Sequence, residues 1–252
     1  EFKPYPLIFD EIIYNDRLSE PEEKIRELKF SIRNTIENQL ERKVGHNRYH
    51  KKLIQLGYNE ILTTNYDYAL QLSLMPDFNN QKHKLSRNNL EKTSSLRRRY
   101  SLPQINTQIW HIHGELESNR NIDKKSAEYP EQSILIGYGH YSDYLQNIQD
   151  KFFGKSSKGK TKTNSLAQRL HLNKAGEYWI DFFFTHDLDI IGQGMDYSEN
   201  HLWWLIRKRA ESMRKRESSN AISARNRIRF FYPVIANEEP NNRTRNSTIK
   251  NK

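Results

Sequence analysis

The stretch ILTTNYDYAL, residues 61–70, decides the fold because an apolar run stops abruptly inside it. Its two leading aliphatic residues end a predicted β-strand, two threonines and Asn65 follow, and helical spacing resumes at Asp67. A predicted short helix over residues 50–56 and then Gly57 precede the strand. The order helix, glycine, strand, polar tip and helix is typical of a doubly wound α/β fold. We therefore predict a Rossmann-like, mostly parallel sheet flanked by helices.

Other patterns along the chain predict the remaining elements. Apolar residues at helical spacing predict one helix over residues 20–43 and another that begins at Ser198. Apolar runs predict three further strands, at residues 107–114, 133–139 and 227–235. The run at 178–194 is ambiguous: it fits either two short strands around residues 185–187, or a helix end followed by a strand.

The composition limits the classes of protein to which the chain can belong. Of 252 residues, 35% are hydrophobic and 29% are charged, and the formal net charge is +10. A basic balance of this size favours anionic partners without choosing among them. The chain has no cysteine, which excludes disulfides, a thiolate nucleophile and cysteine-ligated zinc. No apolar run approaches the roughly 20 residues of a membrane span, so we expect a cytoplasmic protein with no membrane partner.

Two segments are strongly basic. Residues 75–104 show little apolar periodicity and include Arg97, Arg98 and Arg99, so we interpret them as a basic surface insertion. Residues 154–165, GKSSKGKTKTNS, are a basic loop of low complexity. Both segments are candidate nucleic-acid contacts.

Three predicted strands end in polar or glycine-rich tips. Thr63–Asp67 follows the first of these strands, His113 and Gly114 end the next, and residues 192–196 (GQGMD) end a later one. Ligands of open α/β sheets bind outside the carboxyl ends of the strands, so we expect a single site built from these tips. Each tip also has a purely structural interpretation. Asn65 and Asp67 fit a turn and a helix N-cap, and His113 fits a strand-end histidine bonded to nearby backbone.

A further polar group lies between the last predicted strands. His186, Asp187 and Asp189 could ligate a metal ion or form a carboxylate pair. A turn with solvated charges is the favoured interpretation, because exposed acidic clusters usually serve no metal.

Taken in order, ILTTNYD, IWHIHGEL and IIGQGMDYSENHLWWLI resemble the sirtuin-like domains of prokaryotic defence proteins. The resemblance implies an NAD⁺ hydrolase, with NAD as the substrate, that acts as an abortive-infection effector against phage. It also implies a homo-oligomer or a complex with a defence partner protein. Sirtuin deacetylases carry a four-cysteine zinc module. This chain has no cysteine, so neither zinc nor another metal is expected.

The resemblance also implies roles for individual residues. Asn65 would hold a ribose hydroxyl or the attacking water, Asp67 would face the nicotinamide end, and His113 would be the general base. The glycines of the third tip would let backbone approach the ligand, and Ser198 or Glu199 would touch the adenosine side. The full set of predicted NAD contacts beyond the three catalytic residues is Thr63, Thr64, Gly114, Gly192, Gly194, Ser198 and Glu199.

One feature of the family is not found in the chain. The family opens with a strand and a glycine-rich phosphate-binding turn, whereas the first glycine here is Gly45. We therefore expect the N-terminal glycine-rich segment to be missing from a single sirtuin-like domain over residues 1–236, followed by a polar, disordered tail over 237–252. The alternative is a catalytically degenerate sirtuin-like module that binds nucleic acid or a partner protein.

Overall fold

A computed structural model describes residues 3–15, 20–43, 48–78, 96–102, 105–115, 134–155, 164–196, 198–214 and 224–231. Within these ranges the helices are α1 (Tyr5–Tyr14), α2 (Pro21–Lys43), α3 (Arg48–Ile54), α4 (Ala69–Leu72), α5 (Tyr138–Phe153), α6 (Leu166–His171), α7 (Phe182–Thr185) and α8 (Asn200–Arg214). A short 3₁₀ helix, Trp179–Asp181, leads directly into α7. The strands are β1 (Glu60–Thr63), β2 (Tyr100–Leu102), β3 (Thr107–His111), β4 (Leu188–Ile191) and β5 (Ile228–Phe231).

The described strands form two sheets. In the first sheet, β3 lies between β1 and β2, with β1 parallel and β2 antiparallel to it. In the second, β4 and β5 pair in parallel. The prediction of an α/β protein agrees with this architecture. The prediction of one mostly parallel sheet does not describe it, because β1 and β4 face each other across a cavity instead of pairing.

The first sheet separates two apolar clusters, as the alternation of side chains along a strand requires. Ile61 of β1 and Ile109 of β3 belong to the cluster that includes α1, α3 and β2. Leu62 and Trp110, the next residue of each strand, belong to the cluster that includes α5, α7 and α8. Helices therefore cover both faces of this sheet, which is the layered arrangement of α/β domains.

The predicted surface insertion over residues 75–104 is wrong for the part that the structure describes. Met75 and Phe78 are buried at one end of it, and Leu96 is buried towards the other. Tyr100–Leu102 forms β2, an edge strand of the first sheet. Its short run carries two buried side chains, so it has too few residues to show a period. Residues 79–95 lie outside the described residues.

The predicted strand over residues 133–139 is also wrong. Ile134 makes a single isolated bridge with Gly114, and α5 begins at Tyr138. Gly137 caps this helix, and a side chain there would collide with Asp10 and Phe9 of α1. Of the two interpretations of residues 178–194, a helix end followed by a strand is confirmed, because α7 leads into β4. No helix among the described residues combines the length and apolar character that crossing a membrane requires.

Candidate functional site

A cavity of about 360 Å³ lies between β1 and β4. Residues 60–65 line one side of it and residues 187–193 line the other, so each strand contributes a continuous edge. Side chains bridge the two strands at both ends. The Tyr58 hydroxyl donates to Asp189 Oδ2 at 2.6 Å, and Thr64 Oγ1 donates to Gln193 Oε1 at 3.4 Å.

Four of the predicted site residues line this cavity, namely Thr63, Thr64, Asn65 and Gly192. The Asn65 backbone N–H donates to Thr63 Oγ1 at 3.1 Å just beyond β1, and Asn65 is exposed. Gly192 has a φ of +69°, a left-handed conformation that favours glycine at the end of β4. The first and third predicted tips therefore meet at one opening.

Other predicted residues lie away from the cavity lining. Asp67 Oδ1 accepts a hydrogen bond from the Ala69 N–H at 2.8 Å, which forms the predicted turn before α4, although the N-cap residue of that helix is Tyr68. Gly114 is buried with a φ of +90°, in the turn that follows β3. Gly194 and Ser198 belong to the segment that connects β4 to α8.

His113 lies in a compact polar cluster next to the cavity. Its Nε2 is 3.1 Å from His201 Nε2 and 3.1 Å from Glu199 Oε2. The Tyr141 hydroxyl is 3.4 Å from His113 Nδ1. His113 is 3% exposed and His201 is fully buried. We call His113, Glu199 and His201 the His–Glu–His cluster.

Backbone hydrogen bonds hold both sides of this cluster in place. The Ile112 N–H donates to the Thr63 carbonyl, which extends the pairing of β1 and β3 to the residue before His113. The Leu135 N–H donates to the carbonyl of His113 itself. His201 stands in the first turn of α8, with Glu199 just before the helix. Ile112 lines the cavity, so the cluster lies immediately behind the cavity wall.

Two members of the cluster differ from expectation. Glu199, which the resemblance assigns to the adenosine side, instead lies against His113. His201 was not predicted, because its 88-residue separation from His113 leaves no local pattern. Burial, and then the neighbouring His113, hold the pKa of His201 well below its usual range, so its ring is neutral at pH 7.

His111, two residues before His113, belongs to a different environment. Its Nε2 is 2.7 Å from Gln71 Nε2, and its Nδ1 is 3.0 Å from the Asn65 carbonyl oxygen. Burial lowers its pKa, so the ring accepts from the Gln71 amide and donates to the carbonyl in the neutral form. His111 therefore holds the backbone at the tip of β1.

A second buried charge lies just beyond Gly114. Glu115 forms an ion pair with Arg98, and both side chains are almost completely buried. The hydroxyls of Tyr68 and Tyr100 donate to Glu115 Oε2 at 2.8 and 2.6 Å. This network anchors the turn that carries His113.

The side chains of the basic stretch Arg97–Arg99 are consequently engaged in contacts within the protein. Arg98 is 4% exposed and is committed to Glu115, so its predicted contact with nucleic acid is wrong. Arg99 donates to Gln108 Oε1 at 2.5 Å and lies over the Trp110 ring. Of the second basic segment, residues 156–163 lie outside the described residues.

The candidate ligands His186, Asp187 and Asp189 do not form a joint site in the structure. Asp187 accepts from the Arg227 side chain at 3.1 Å, and Asp189 accepts from Arg229 at 2.5 Å. The second pair crosses from β4 to β5, and the first joins the residues just before these strands. The backbone N–H and side chain of Arg227 lower the pKa of Asp187, and the Arg229 side chain lowers that of Asp189. The aspartates are therefore cross-strand ion-pair partners.

Comparison with known proteins identifies one family. Residues 59–175 match the family model described as the SIR2-like domain. The matched segment contains β1, β3, His113 and α5, whereas β4, Gly192 and α8 lie beyond it. No curated protein and no solved structure matches the chain significantly. The predicted resemblance is confirmed for this segment, which matches the SIR2-like domain over less than half of the chain.

Proposed function

We propose that the chain is an NAD⁺ hydrolase that cleaves the nicotinamide–ribose bond. SIR2-like domains bind NAD and are generally NAD-dependent enzymes, which supports NAD as the substrate. The observation that carries the proposal is the convergence of the tips of β1 and β4 on one cavity. Its volume, about 360 Å³, falls within the range of pockets for small molecules.

In the proposed reaction, water attacks the anomeric carbon of the ribose as the bond to nicotinamide breaks. The electron pair of that bond leaves with nicotinamide, and the water gives up one proton. The transition state resembles an oxocarbenium ion, so catalysis depends on orienting the ribose and on stabilising spreading positive charge. The products are nicotinamide and ADP-ribose.

Some of the proposed catalytic residues line the cavity, and others belong to the His–Glu–His cluster behind its wall. Asn65 orients a ribose hydroxyl or the attacking water from the mouth of the cavity. The role of Asp67 at the nicotinamide end stays a prediction, because its Oδ1 accepts from the Ala69 N–H outside the cavity lining. Gly192 and Gly194 let backbone approach the dinucleotide closely. His113 accepts the proton, because imidazole is the side chain that most often serves as a general base. Thr63, Thr64, Gly114 and Ser198 complete the predicted contacts.

The structure of the cluster adds a role for Glu199. Its carboxylate lies 3.1 Å from His113 Nε2 and is only 14% exposed, so it is suited to stabilise a protonated His113. Glu199 is therefore a positioning residue in this proposal, not an adenosine contact. The biological role that we propose is NAD depletion in the cytoplasm during phage infection, by a homo-oligomer or by a complex with a defence partner.

The test is incubation of the complete protein with NAD, together with its partner where one is required, and quantification of released nicotinamide by chromatography. We expect release from the wild type, loss of at least 100-fold in His113→Ala, and a comparable loss in Asn65→Ala. His186→Ala is the matched control, because this histidine is exposed and lies outside the proposed site. No nicotinamide release from the wild type, or full activity in His113→Ala, would refute the proposal.

A second candidate function is a catalytically inactive module that binds nucleic acid or a protein partner. The net charge of +10 favours it. Phosphate contacts would make binding to DNA or RNA weaken steeply as salt rises. Affinity that is undetectable at low salt, or that is insensitive to salt, would count against this candidate.

A further inference from the structure

We propose that the His–Glu–His cluster binds a divalent transition metal ion, with Zn²⁺ as the best fit. Metal binding goes beyond NAD hydrolysis and does not depend on it. Three potential ligand atoms meet at one point in the cluster: His113 Nε2, Glu199 Oε2 and His201 Nε2. Two imidazole nitrogens and one carboxylate oxygen form the His₂Glu donor set of several catalytic zinc sites.

The distances between these atoms match a tetrahedral site. Zinc binds nitrogen and carboxylate oxygen at about 2.0–2.2 Å, which places neighbouring tetrahedral ligands about 3.3–3.6 Å apart. The separations in the cluster are 3.1 Å, 3.1 Å and 3.7 Å. Three such atoms form one face of a tetrahedron, and the fourth position is left for water or another ligand.

The cluster has an unsatisfied contact that a cation would resolve. The two imidazole Nε2 atoms lie 3.1 Å apart: one ring donates its Nε2–H to the other in one tautomer, and in the Nδ1–H tautomers both lone pairs are free for a cation. Within the described part of the chain, Glu199 Oε2 is buried and accepts no well-aligned hydrogen bond. A buried acceptor of this kind destabilises the protein when it stays unsatisfied. A metal ion would pair with all three atoms at once.

A neighbouring group fits the metal-bound form at His113, whereas His201 Nδ1 is buried and has no hydrogen-bond partner among the described residues. Ligating histidines usually donate their second ring N–H to a nearby acceptor, which orients the ring and exposes the other lone pair to the metal. The Tyr141 hydroxyl, 3.4 Å from His113 Nδ1, is placed to accept such a bond. The Tyr141 ring also stacks on His201, with the ring centroids 5.8 Å apart. Tyr141 therefore restrains both imidazoles.

Metal binding would also regulate the proposed reaction, a consequence that rests on the proposed function. An ion bound at His113 Nε2 occupies the lone pair that the general base needs, so the metal-bound protein cannot accept the proton at that atom. Zn²⁺ should therefore inhibit nicotinamide release, and a chelator should restore it.

The test uses Co²⁺, which substitutes for Zn²⁺ and absorbs visible light when it is tetrahedrally coordinated. The complete chain, purified without a histidine tag and treated with chelator, is titrated with Co²⁺ and then with Zn²⁺. We expect visible bands at one equivalent of Co²⁺, and their loss when Zn²⁺ is added. Glu199→Gln and His201→Gln should each weaken binding at least 10-fold, whereas the exposed-histidine control His171→Gln should bind as the wild type does.

The outcomes separate this inference from the proposed function. Absence of the bands in folded wild type, checked by circular dichroism, would overturn it. So would bands that persist with unchanged affinity in Glu199→Gln, whose side chain is partly exposed and whose substitution preserves size. Nicotinamide release without Co²⁺ binding would contradict only the metal site, and Co²⁺ binding without nicotinamide release would contradict only the hydrolase.

Discussion

Glu115 carries a buried negative charge two residues beyond His113, and three side chains compensate it. Arg98 supplies the opposite charge, and two tyrosine hydroxyls donate to the same carboxylate oxygen. Removing one partner of a buried ion pair leaves the other charge uncompensated, which typically costs 3–5 kcal/mol. The stability of the turn that carries His113 thus depends on a single carboxylate.

We expect Glu115→Gln to lower the free energy of unfolding by about 3–5 kcal/mol, because the amide keeps the size of the side chain and removes its charge. Urea denaturation followed by fluorescence measures the loss. The exposed pair of Arg207 and Glu211 gives the control: Arg207→Ala should cost less than about 0.5 kcal/mol. Equal effects of the two substitutions would contradict a special role for Glu115.

His140 is a second residue whose ionisation is coupled to folding. The Gly137 N–H donates to its Nδ1 at 3.3 Å at the start of α5. Burial, and then the charge of Lys29, lower its pKa from 6.5 to about 4. The unfolded chain therefore takes up this proton at a higher pH than the native protein does. The contribution of His140 to stability is complete above pH 6.5 and is lost as the pH falls towards 4.

This linkage predicts how His140→Asn behaves as a function of pH, because asparagine does not titrate. The stability of the wild type relative to the variant should fall by on the order of 1 kcal/mol between pH 7 and pH 4, a figure reduced because the histidine is partly exposed. Parallel urea titrations at several pH values measure the difference. If the difference in unfolding free energy between wild type and variant stayed constant over this pH range, protonation of His140 would not be coupled to folding.

Sequence patterns predicted the candidate site only in part. Thr63, Thr64, Asn65 and Gly192 could be grouped because strand tips of an α/β fold share one edge. The partnership of Glu199 and His201 with His113 could not, because it depends on how α8 packs against the end of β3. Long-range packing of this kind leaves no trace in residue spacing.

At the scale of single elements, α6 has a complete capping box. Ser165 Oγ accepts from the Gln168 N–H at 3.2 Å, and the Gln168 side chain accepts from the Ser165 N–H at 2.9 Å. These bonds satisfy two backbone donors that the first turn of a helix otherwise leaves unpaired. The helix then directs Leu166 and Arg169 into the interior, where Arg169 pairs with Asp181.

We expect Ser165→Ala to destabilise the protein by about 1 kcal/mol, the usual cost of losing an N-cap side chain. Ser212→Ala is the matched control, because Ser212 bonds to the Lys208 carbonyl inside α8 and caps no helix. Urea denaturation of both variants gives the comparison. If Ser212→Ala lowered the free energy of unfolding as much as Ser165→Ala does, the N-cap bond of Ser165 would not be the cause of the loss.

The strength of each local signal decided which elements could be predicted. The helix predicted over residues 20–43 is α2, because apolar residues repeat along it for several turns. The apolar run at 133–139 was wrongly predicted to be a strand. A short buried segment has the same apolar sequence pattern whether or not a partner strand lies beside it. Similarly, β2 was missed because it has only three residues.

At the scale of the whole molecule, the separation of the strands into two sheets could not be predicted. Periodicity indicates that a segment is a strand, but the partner depends on tertiary packing. The predicted order placed all strands in one sheet, whereas the described strands leave a cavity between β1 and β4. What joins the two sheets is the apolar cluster that includes Trp110 of β3, Leu205 of α8 and the partly buried Leu188 of β4.

This shared cluster predicts that the two sheets unfold as one unit. Leu205 is completely buried within the cluster. Leu205→Ala removes its side chain from a core that serves both sheets, so we expect a loss of about 2–5 kcal/mol in the free energy of unfolding. The amides of β3 and β4 should lose protection by the same free energy, which native-state hydrogen exchange measures residue by residue. Met213→Ala, at an exposed position of the same helix, should leave both sheets unchanged within about 0.5 kcal/mol. If Leu205→Ala released β4 while β3 kept its full protection, the cluster would not couple the sheets, and the cavity would lie between two independently folding units.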